Sequence, residues 1–264
     1  MAFQQPREAG NTIMSKQVEQ TRDQFVREGY AVIRDFVTRG EVEEIHREVG
    51  RYIAQVIPTL PPGEAFYEIK DDPDTLKQLP HINAHDPYFR RWHCDRRLED
   101  LAALLLGGPV IPSDLQWFNK PPRVGKGTPA HQDGFYDKIE PKEMVNMWLA
   151  LDPVDEENGC VRYVSGSHKR GLREHRRSQT LGFSQALVGY GPEDEAAEVA
   201  VCAEPGDLLV HHGLTIHRAD ANGSDRSRRA MGSVYYAAHV RIDEEGTTAY
   251  SRDLTADLLR DGKL

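Results

Sequence analysis

The sequence is poor in cysteine, has no excess of basic residues and contains no long apolar segment. Its three cysteines, Cys94, Cys160 and Cys202, form no Cys-x-x-Cys pair, which argues against a zinc or disulfide framework and favours a reducing compartment. The formal net charge of -9 argues against nucleic acid as a partner, since proteins that bind it are normally basic. No run of about 18 apolar residues occurs, so no membrane span is expected.

The N-terminal region shows neither a targeting signal nor a structural pattern. It lacks the basic-then-apolar order of a secretory signal, which makes the cytoplasm the expected location. Residues 1–14 are polar and without periodicity, and we expect a disordered tail there. Residues 15–264 are long enough for a sizeable core and are expected to form a single domain. Either Met1 or Met14 could be the native start, and the sequence leaves that choice open.

Helical patterns come first along the chain, and strand patterns follow. A helix is predicted over residues 15–27, and a glycine ends it. A second, amphipathic helix is predicted where Val42, Ile45 and Val49 recur at helical spacing. Residues 77–87 are interpreted as an irregular, polar connection. Short strands are then predicted at residues 114–119, 130–135, 146–151, 160–164, 199–202, 207–211 and 229–239. This order favours an α+β domain with helices packed on an antiparallel barrel or sandwich.

The candidate for chemistry is the pair His131 and Asp133. Residues i and i+2 of an extended strand point to the same face, so both side chains reach one point while Gln132 faces away. With a second, distant histidine they would make the facial triad that holds non-haem Fe(II) and leaves positions open. A bare His-x-Asp is common, and taken alone it is more often an exposed polar strand end.

A distal histidine is needed to complete such a site, and three candidates follow the Pro-Gly-Asp turn at residues 205–207. His217 comes after alternating apolar residues and therefore suits the inner face of a late strand. His211 and His212 are rivals that spacing alone does not eliminate. Each of the three is equally well explained as a structural histidine.

Arg228 lies near the predicted start of the next strand, where a cation beside a metal site has a physical use. Its planar fork binds a carboxylate through two parallel hydrogen bonds. If the cosubstrate of the iron is a dicarboxylate, one end chelates the metal and the other end needs such a cation. The alternative is a surface basic cluster, which suits the neighbouring Arg226 and Arg229.

Taken together, the order and spacing of these motifs resemble the phytanoyl-CoA dioxygenase family of Fe(II)/2-oxoglutarate-dependent oxygenases. The resemblance covers roughly residues 20–240 and rests on NKPP at 119–122, PAHQD at 129–133, NGC at 158–160, VSGSHK at 164–169 and PGD at 205–207, with His217 and Arg228. It implies a double-stranded β-helix, a jelly-roll or cupin-like barrel with N-terminal helices packed on it. It also implies that His131, Asp133 and His217 hold iron and that Arg228 binds the distal carboxylate of 2-oxoglutarate.

The same resemblance extends to three further positions and shows one departure. The three positions match residues that contact the cosubstrate in family members; they are Lys77, Gln116 and Trp148. Members often carry a serine two residues after the distal histidine, where this chain has Ala219. The hydrogen bond of that serine is either lost in this chain or supplied by another group, such as Tyr235 or Thr215.

The carboxylate at position 133 also bears on the reaction. Related halogenases carry a small residue there so that chloride takes the vacant iron position, which Asp133 would fill in this chain. The expected reaction is therefore hydroxylation of an aliphatic C–H, with consumption of O2 and conversion of 2-oxoglutarate to succinate and CO2. The competing hypothesis is a non-oxygenase, cupin-like metal-binding protein, either an isomerase or a sensor of 2-oxoglutarate or metal.

The substrate is expected to be a small molecule, and its class stays open among a CoA ester, a lipid, a natural product and an amino-acid derivative. The segment 169–198 begins with a basic run that would grip an acidic substrate. Alternatively, it is a solvated loop that its own acidic residues balance. Phe135 and Tyr136 would either line an apolar pocket or belong to the core.

Overall fold

The structure is a computed structural model that describes residues 19–180 and 183–246, with Arg252 and Arg260. Its main elements are two antiparallel sheets and a set of helices. The predicted tail at residues 1–14 lies outside the described residues. The helices are α1 over residues 19–28, α2 Arg39–Gln55, α3 Ile82–His85, α4 Pro87–His93, α5 Arg96–Leu106 and α6 Pro192–Ala196. The strands are β1 Tyr30–Ile33, β2 Phe66–Tyr67, β3 Leu76–Leu79, β4 Val110–Lys120, β5 Thr128–His131, β6 Ile139–Glu140, β7 Met144–Ala150, β8 Val161–Val164, β9 His175–Thr180, β10 Phe183–Leu187, β11 Glu198–Val201, β12 Leu208–His212, β13 His217–Ala219, β14 Arg228–Ala237 and β15 Arg241–Ile242.

The larger sheet has seven strands in the order β1-β12-β7-β14-β4-β3-β2, and the smaller has four in the order β11-β8-β13-β5. Two further strand pairs, β9 with β10 and β6 with β15, lie outside these sheets. Every pairing among the described strands is antiparallel, which agrees with the antiparallel prediction. The stacked rings of Tyr30 on β1 and Tyr163 on β8, with centres 4.6 Å apart, show that the two sheets pack face to face. The described strands do not form one continuous closed barrel.

The central strands of the larger sheet carry different side chains on their two faces. On β7, Met147 and Leu149 belong to the core that includes the helices, while Trp148 and Ala150 pack with residues of the smaller sheet. This alternation follows from the period of two along a strand. The face that carries Met147 and Leu149 therefore packs against the helices, and the face that carries Trp148 points toward the smaller sheet.

The first two predicted helices are present. Helix α1 ends before Gly29, whose φ of 84° lies in the region that favours glycine. Helix α2 begins after Thr38, which exchanges hydrogen bonds with Glu41 in a capping box that stabilises the helix start by about 1 kcal/mol. The buried residues of α2 are Val42, Ile45, Val49 and Tyr52. None of the helices in the described residues has the length and apolar character that spanning a bilayer requires, and the compartment stays a prediction.

Three predicted segments differ from the structure. Residues 77–87 are not irregular but contain most of β3, the short helix α3 and the first residue of α4. All four residues of β3 are buried, so its burial shows no alternation. The strand predicted at 130–135 ends at His131, because Asp133–Phe135 turn into a short 3-10 helix. The segment 169–198 is not a plain loop, since it holds the β9–β10 hairpin and α6.

Candidate metal and carboxylate site

His131, Asp133 and His217 meet on the inner side of the smaller sheet. His131 is the last residue of β5 and His217 the first of β13, and the two are direct partners in this strand pair. The potential ligand atoms of the three residues all lie within 4.8 Å of one another. The Asp133 carboxylate is 3.2 Å from Nε2 of His131 and 3.7 Å from Nε2 of His217. The structure thus brings the predicted triad together with the spacing of metal ligands.

Gln132 lies between His131 and Asp133, and its backbone conformation lets both of their side chains face the same point. Its backbone is extended, with φ -126° and ψ 125°, which preserves the i, i+2 relation although β5 has ended. Its buried side chain donates to the carbonyls of Gly171 and Leu214 and accepts from the backbone N–H of Arg173. Its own backbone N–H donates to Nε2 of His175. These four hydrogen bonds, here called the Gln132 tether, join the triad to residues 171–175 and to Leu214 between β12 and β13.

Replacing Gln132 with alanine is expected to destabilise the fold. The substitution leaves two carbonyls and one backbone N–H in the interior without their partner, and each such group costs about 1–3 kcal/mol. We expect the free energy of unfolding of the metal-free protein to fall by about 3 kcal/mol in urea denaturation. Gln55→Ala at the exposed end of α2 should stay within about 0.5 kcal/mol of wild type. Equal stability of the two variants would show that the tether contributes nothing.

Both histidines of the triad are held by the ring nitrogen that faces away from Asp133. Nδ1 of His131 lies 2.8 Å from the carbonyl of Pro129, and Nδ1 of His217 lies 3.0 Å from that of Thr215. Because a carbonyl only accepts, this geometry assigns the proton to Nδ1 and the lone pair to Nε2. Burial and the neighbouring His131 lower the pKa of His217 to about 3, so its imidazole is neutral near pH 7.

The Asp133 carboxylate is ionised and held in place by its neighbours. Burial acts to raise its pKa, but the neighbouring His217, His131 and His211 outweigh burial and keep the pKa well below its usual range. Asn146 on β7 donates to Oδ2 of the same carboxylate. The sequence analysis missed Asn146, although it lies two residues before Trp148 and therefore on the same strand face. Two imidazole nitrogens beside one carboxylate form the donor set of a facial triad, which fits Fe(II).

His211 and His212, the rivals for the distal position, have other contacts. Nε2 of His211 lies 2.8 Å from Oδ2 of Asp133, and its Nδ1 lies 3.1 Å from the Tyr163 hydroxyl. Nδ1 of His212 accepts a hydrogen bond from the backbone of Leu214. Within the described ranges, the triad is the one group of three such side chains with ligand spacing. His211 therefore positions the carboxylate and does not join the cluster.

Arg228 begins β14 and is buried, with 5% of its surface exposed. Its guanidinium carbon lies 5.1 Å from the ring centre of Trp148, a distance at which the ring attracts the cation. Its enclosed Nε has no hydrogen-bond acceptor in the part of the chain that the structure describes. Burial lowers the pKa of Arg228 to about 10, so the group stays charged near neutral pH. Such a cation fits a carboxylate ligand. The flanking Arg226 and Arg229 instead pair with carboxylates of the protein.

The other two predicted cosubstrate contacts are engaged within the protein. Lys77 forms a buried ion pair with Glu68, with 2.9 Å between Nζ and Oε1. Gln116 accepts a hydrogen bond from Gln78 and donates one to Asp114. Any contact of these two residues with a cosubstrate therefore stays a prediction.

The hydroxyls expected to replace the missing serine point elsewhere. Tyr235 donates to the carbonyl of His93, because it lies on the same face of β14 as Met231, in the core that includes the helices. Thr215 donates to the carbonyl of Gly29. The expectation that one of them compensates for Ala219 is therefore wrong.

Phe135 and Tyr136 lie beside the triad. The ring of Phe135 stacks on His175 with centres 4.5 Å apart, and the ring of Tyr136 lies 5.9 Å from that of His131. Both positions suit the lining of a substrate pocket. The basic run that follows β8 is partly neutralised, since Arg173 pairs with a carboxylate of α6. That contact favours the balanced-loop interpretation over a grip on an acidic substrate.

The sequence matches a known protein family over most of its length. The family model described as Phytanoyl-CoA dioxygenase (PhyH) matches residues 25–230, which is most of the chain. The chain belongs to the phytanoyl-CoA dioxygenase family. The resemblance drawn from the motifs is thereby confirmed.

One relative and two solved structures are similar to this chain over most of its length. The phytanoyl-CoA dioxygenase domain-containing protein 1 homolog of Caenorhabditis briggsae is 24% identical over 88% of this chain and 93% of that protein. The crystal structure of the epimerase SnoN in complex with Fe3+, alpha ketoglutarate and nogalamycin RO is similar, with a TM-score of 0.70, 24% identity and 86% of both chains covered. EctD from S. alaskensis with 2-oxoglutarate and 5-hydroxyectoine has a TM-score of 0.70 and 22% identity, with 85% of this chain and 77% of that chain covered. SnoN and EctD therefore have the same fold as this phytanoyl-CoA dioxygenase family member.

Proposed function

We propose that this protein is an Fe(II)- and 2-oxoglutarate-dependent dioxygenase that hydroxylates an aliphatic C–H of a small-molecule substrate. The observation that carries the proposal is the cluster of His131, Asp133 and His217 in a fold that also buries an unpaired Arg228. A dicarboxylate that chelates a metal through one end needs a cation for its other end. The chain offers the triad for the metal and Arg228 for the distal carboxylate.

Each side chain has a defined task in this proposal. His131 and His217 would bind iron through Nε2, and Asp133 would bind it through a carboxylate oxygen. Arg228 would bind the distal carboxylate of 2-oxoglutarate, and Trp148 would pack against the guanidinium and keep water away. Bound iron and 2-oxoglutarate supply the oxidation of the substrate by O2, with succinate and CO2 as coproducts.

Two features support hydroxylation over the alternatives. The ionised, hydrogen-bonded Asp133 fills the position that a halide would need in a halogenase. The unpaired Arg228 has no use in a cupin-like isomerase without a dicarboxylate cosubstrate. One of the similar structures is named an epimerase, so product analysis is part of the test.

We also propose that the two facing sheets form a double-stranded β-helix. The antiparallel strand orders, the face-to-face packing of Tyr30 on Tyr163 and the shared fold with SnoN and EctD support this topology. In such a fold the metal site lies between the sheets, where the triad is found.

The test is an anaerobic titration of the metal-free protein with Fe(II) and 2-oxoglutarate, followed by exposure to O2. A 2-oxo acid chelated to Fe(II) gives a weak visible charge-transfer band, which we expect only when both components are present. After O2 is admitted we expect succinate, and with a true substrate a product heavier by one oxygen atom. Zn(II) in place of Fe(II) is the control, since it accepts similar ligands without redox chemistry. A band without succinate would favour a sensor, and no band in folded, iron-loaded protein would contradict the oxygenase.

A further inference from the structure

Lys120 and Arg228 face each other across neighbouring strands. Lys120 is the last residue of β4 and Arg228 the first of β14, and the strand register pairs them directly. Directly opposed side chains leave a sheet on the same face, with Cβ atoms about 4.5–5.5 Å apart. Both residues are nearly enclosed, with 4% and 5% of their surfaces exposed. Two cations are therefore buried side by side.

No carboxylate in residues 19–180 or 183–246 forms an ion pair with either of them. Nζ of Lys120 donates to the backbone carbonyl of Lys126, and Nε of Arg228 has no acceptor. A third buried cation, Lys77, is paired with Glu68, whose carboxylate also accepts from the Lys126 backbone. Of these three buried cations, Lys77 alone is paired with a carboxylate of the described residues.

This arrangement is unfavourable until an anion completes it. Like charges directly opposed in a sheet repel, and burial removes the water that would screen them. Burial and the charge of Arg228 hold the pKa of Lys120 well below its usual range. The charge of Asp152 affects the pKa of Arg228, and the charge of Asp220 affects the pKa of Lys120. Both carboxylates are already paired with other arginines. A bound anion would relieve both the repulsion and the burial of unpaired charge.

The local backbone makes room for the lysine stem. Gly159 has a φ of 82°, and a Cβ added there would lie 2.3 Å from the carbonyl oxygen of Asp220 and 3.1 Å from Cδ of Lys120. A larger residue at 159 would therefore displace the lysine. Ala219 offers no hydroxyl, and the two hydroxyls considered as replacements donate elsewhere. The buried ammonium beside Arg228 is thus available for the bond that a serine would have made.

We propose that Lys120 is a second cosubstrate-binding residue, which together with Arg228 forms a two-cation cradle for the distal carboxylate of 2-oxoglutarate. The inference rests on the proposed function and adds a residue to it. The guanidinium fork binds the carboxylate, and the ammonium donates to it and neutralises its charge. The competing explanation is structural, in which Lys120 only fastens the end of β4 to the Lys126 carbonyl.

The test compares two 2-oxo acids that differ only at the distal end. 2-Oxoglutarate carries a carboxylate there, and 2-oxopentanoate carries a methyl group. Calorimetry on the Fe(II)-loaded protein without O2 gives their Kd values for wild type and Lys120→Met. We expect the variant to lose about tenfold or more in affinity for 2-oxoglutarate, as for a charged hydrogen bond, and almost nothing for 2-oxopentanoate.

Two further variants and a stability measurement separate the explanations. Lys120→Gln keeps a donor for the Lys126 carbonyl without the charge, and it should match Lys120→Met. Lys126→Met removes an exposed neighbouring charge and should bind as wild type. Without 2-oxoglutarate, we expect Lys120→Met to keep or raise the Tm, because repulsion is relieved, whereas a structural lysine would lower it.

The outcomes for the two proposals are distinct. An undiminished preference for 2-oxoglutarate in Lys120→Gln or Lys120→Met would overturn the cradle and leave the oxygenase intact. Wild-type protein that binds neither 2-oxo acid in the presence of iron would instead overturn the proposed function.

Discussion

Replacing His217 with alanine is expected to weaken Fe(II) binding by more than about 100-fold and to abolish succinate formation. Loss of a group that merely supports a metal ligand costs about 10–100-fold in affinity, so loss of a ligand should cost more. His211 is not free to substitute, because its Nε2 is held 2.8 Å from Asp133. Anaerobic competition with a coloured chelator measures the affinity, and circular dichroism confirms that the variant is folded.

His239→Ala is the matched control for this change. His239 is exposed and contacts Glu143 at the surface, away from the triad. The same substitution there should leave both iron affinity and turnover at wild-type values. Iron binding of wild-type strength in folded His217→Ala would show that the distal ligand is another residue, and His211→Ala would then be measured next.

Arg228→Met is expected to raise the Kd of 2-oxoglutarate by about 100-fold while iron affinity stays near wild type. Methionine retains the length of the side chain and removes the charge. A hydrogen bond to a charged group contributes about 1.5–3 kcal/mol, which corresponds to about 10–150-fold in affinity. The charge-transfer band, titrated with 2-oxoglutarate at fixed iron, reports this Kd directly.

The control for Arg228 lies two residues away. Arg226 pairs with Asp155 and is partly exposed, so Arg226→Met should leave the titration unchanged. If Arg228→Met and Arg226→Met gave the same Kd, the distal carboxylate would have to be bound elsewhere, with Lys77 the first residue to test.

The triad could be predicted from sequence because its central relation is local. His131 and Asp133 are two residues apart, and Gln132 keeps the backbone extended even though the strand has ended. The choice of His217 over His211 is different in kind. Both follow apolar residues, and only the pairing of β13 with β5, and of β12 with β7, decides which one joins the cluster. Family resemblance supplied that choice where spacing alone left it open.

Elements without alternation escaped prediction for a physical reason. The sequence of β3 reads Leu-Lys-Gln-Leu, and both polar residues are buried and paired, Lys77 with Glu68 and Gln78 with Gln116 on β4. Strand β9 is rich in charged and polar residues, so the hydrophobic pattern gives no sign of it. The opposition of Lys120 and Arg228 likewise depends on strand register, which distant segments set together. Local patterns therefore brought His131 and Asp133 together and missed the polar contacts around them.

The Gln132 tether has a consequence for protein engineering. The segment 171–175 supports the geometry of the triad, because it bonds both the backbone and the side chain of Gln132 between His131 and Asp133. Among the described residues, the part of β9 that follows His175 contributes no bond to this tether. Libraries aimed at new substrates can therefore vary residues 176–178 and keep the support of the triad. A loop graft that begins before His175 would replace residues that bond Gln132, and it would therefore change the support of the triad together with the pocket.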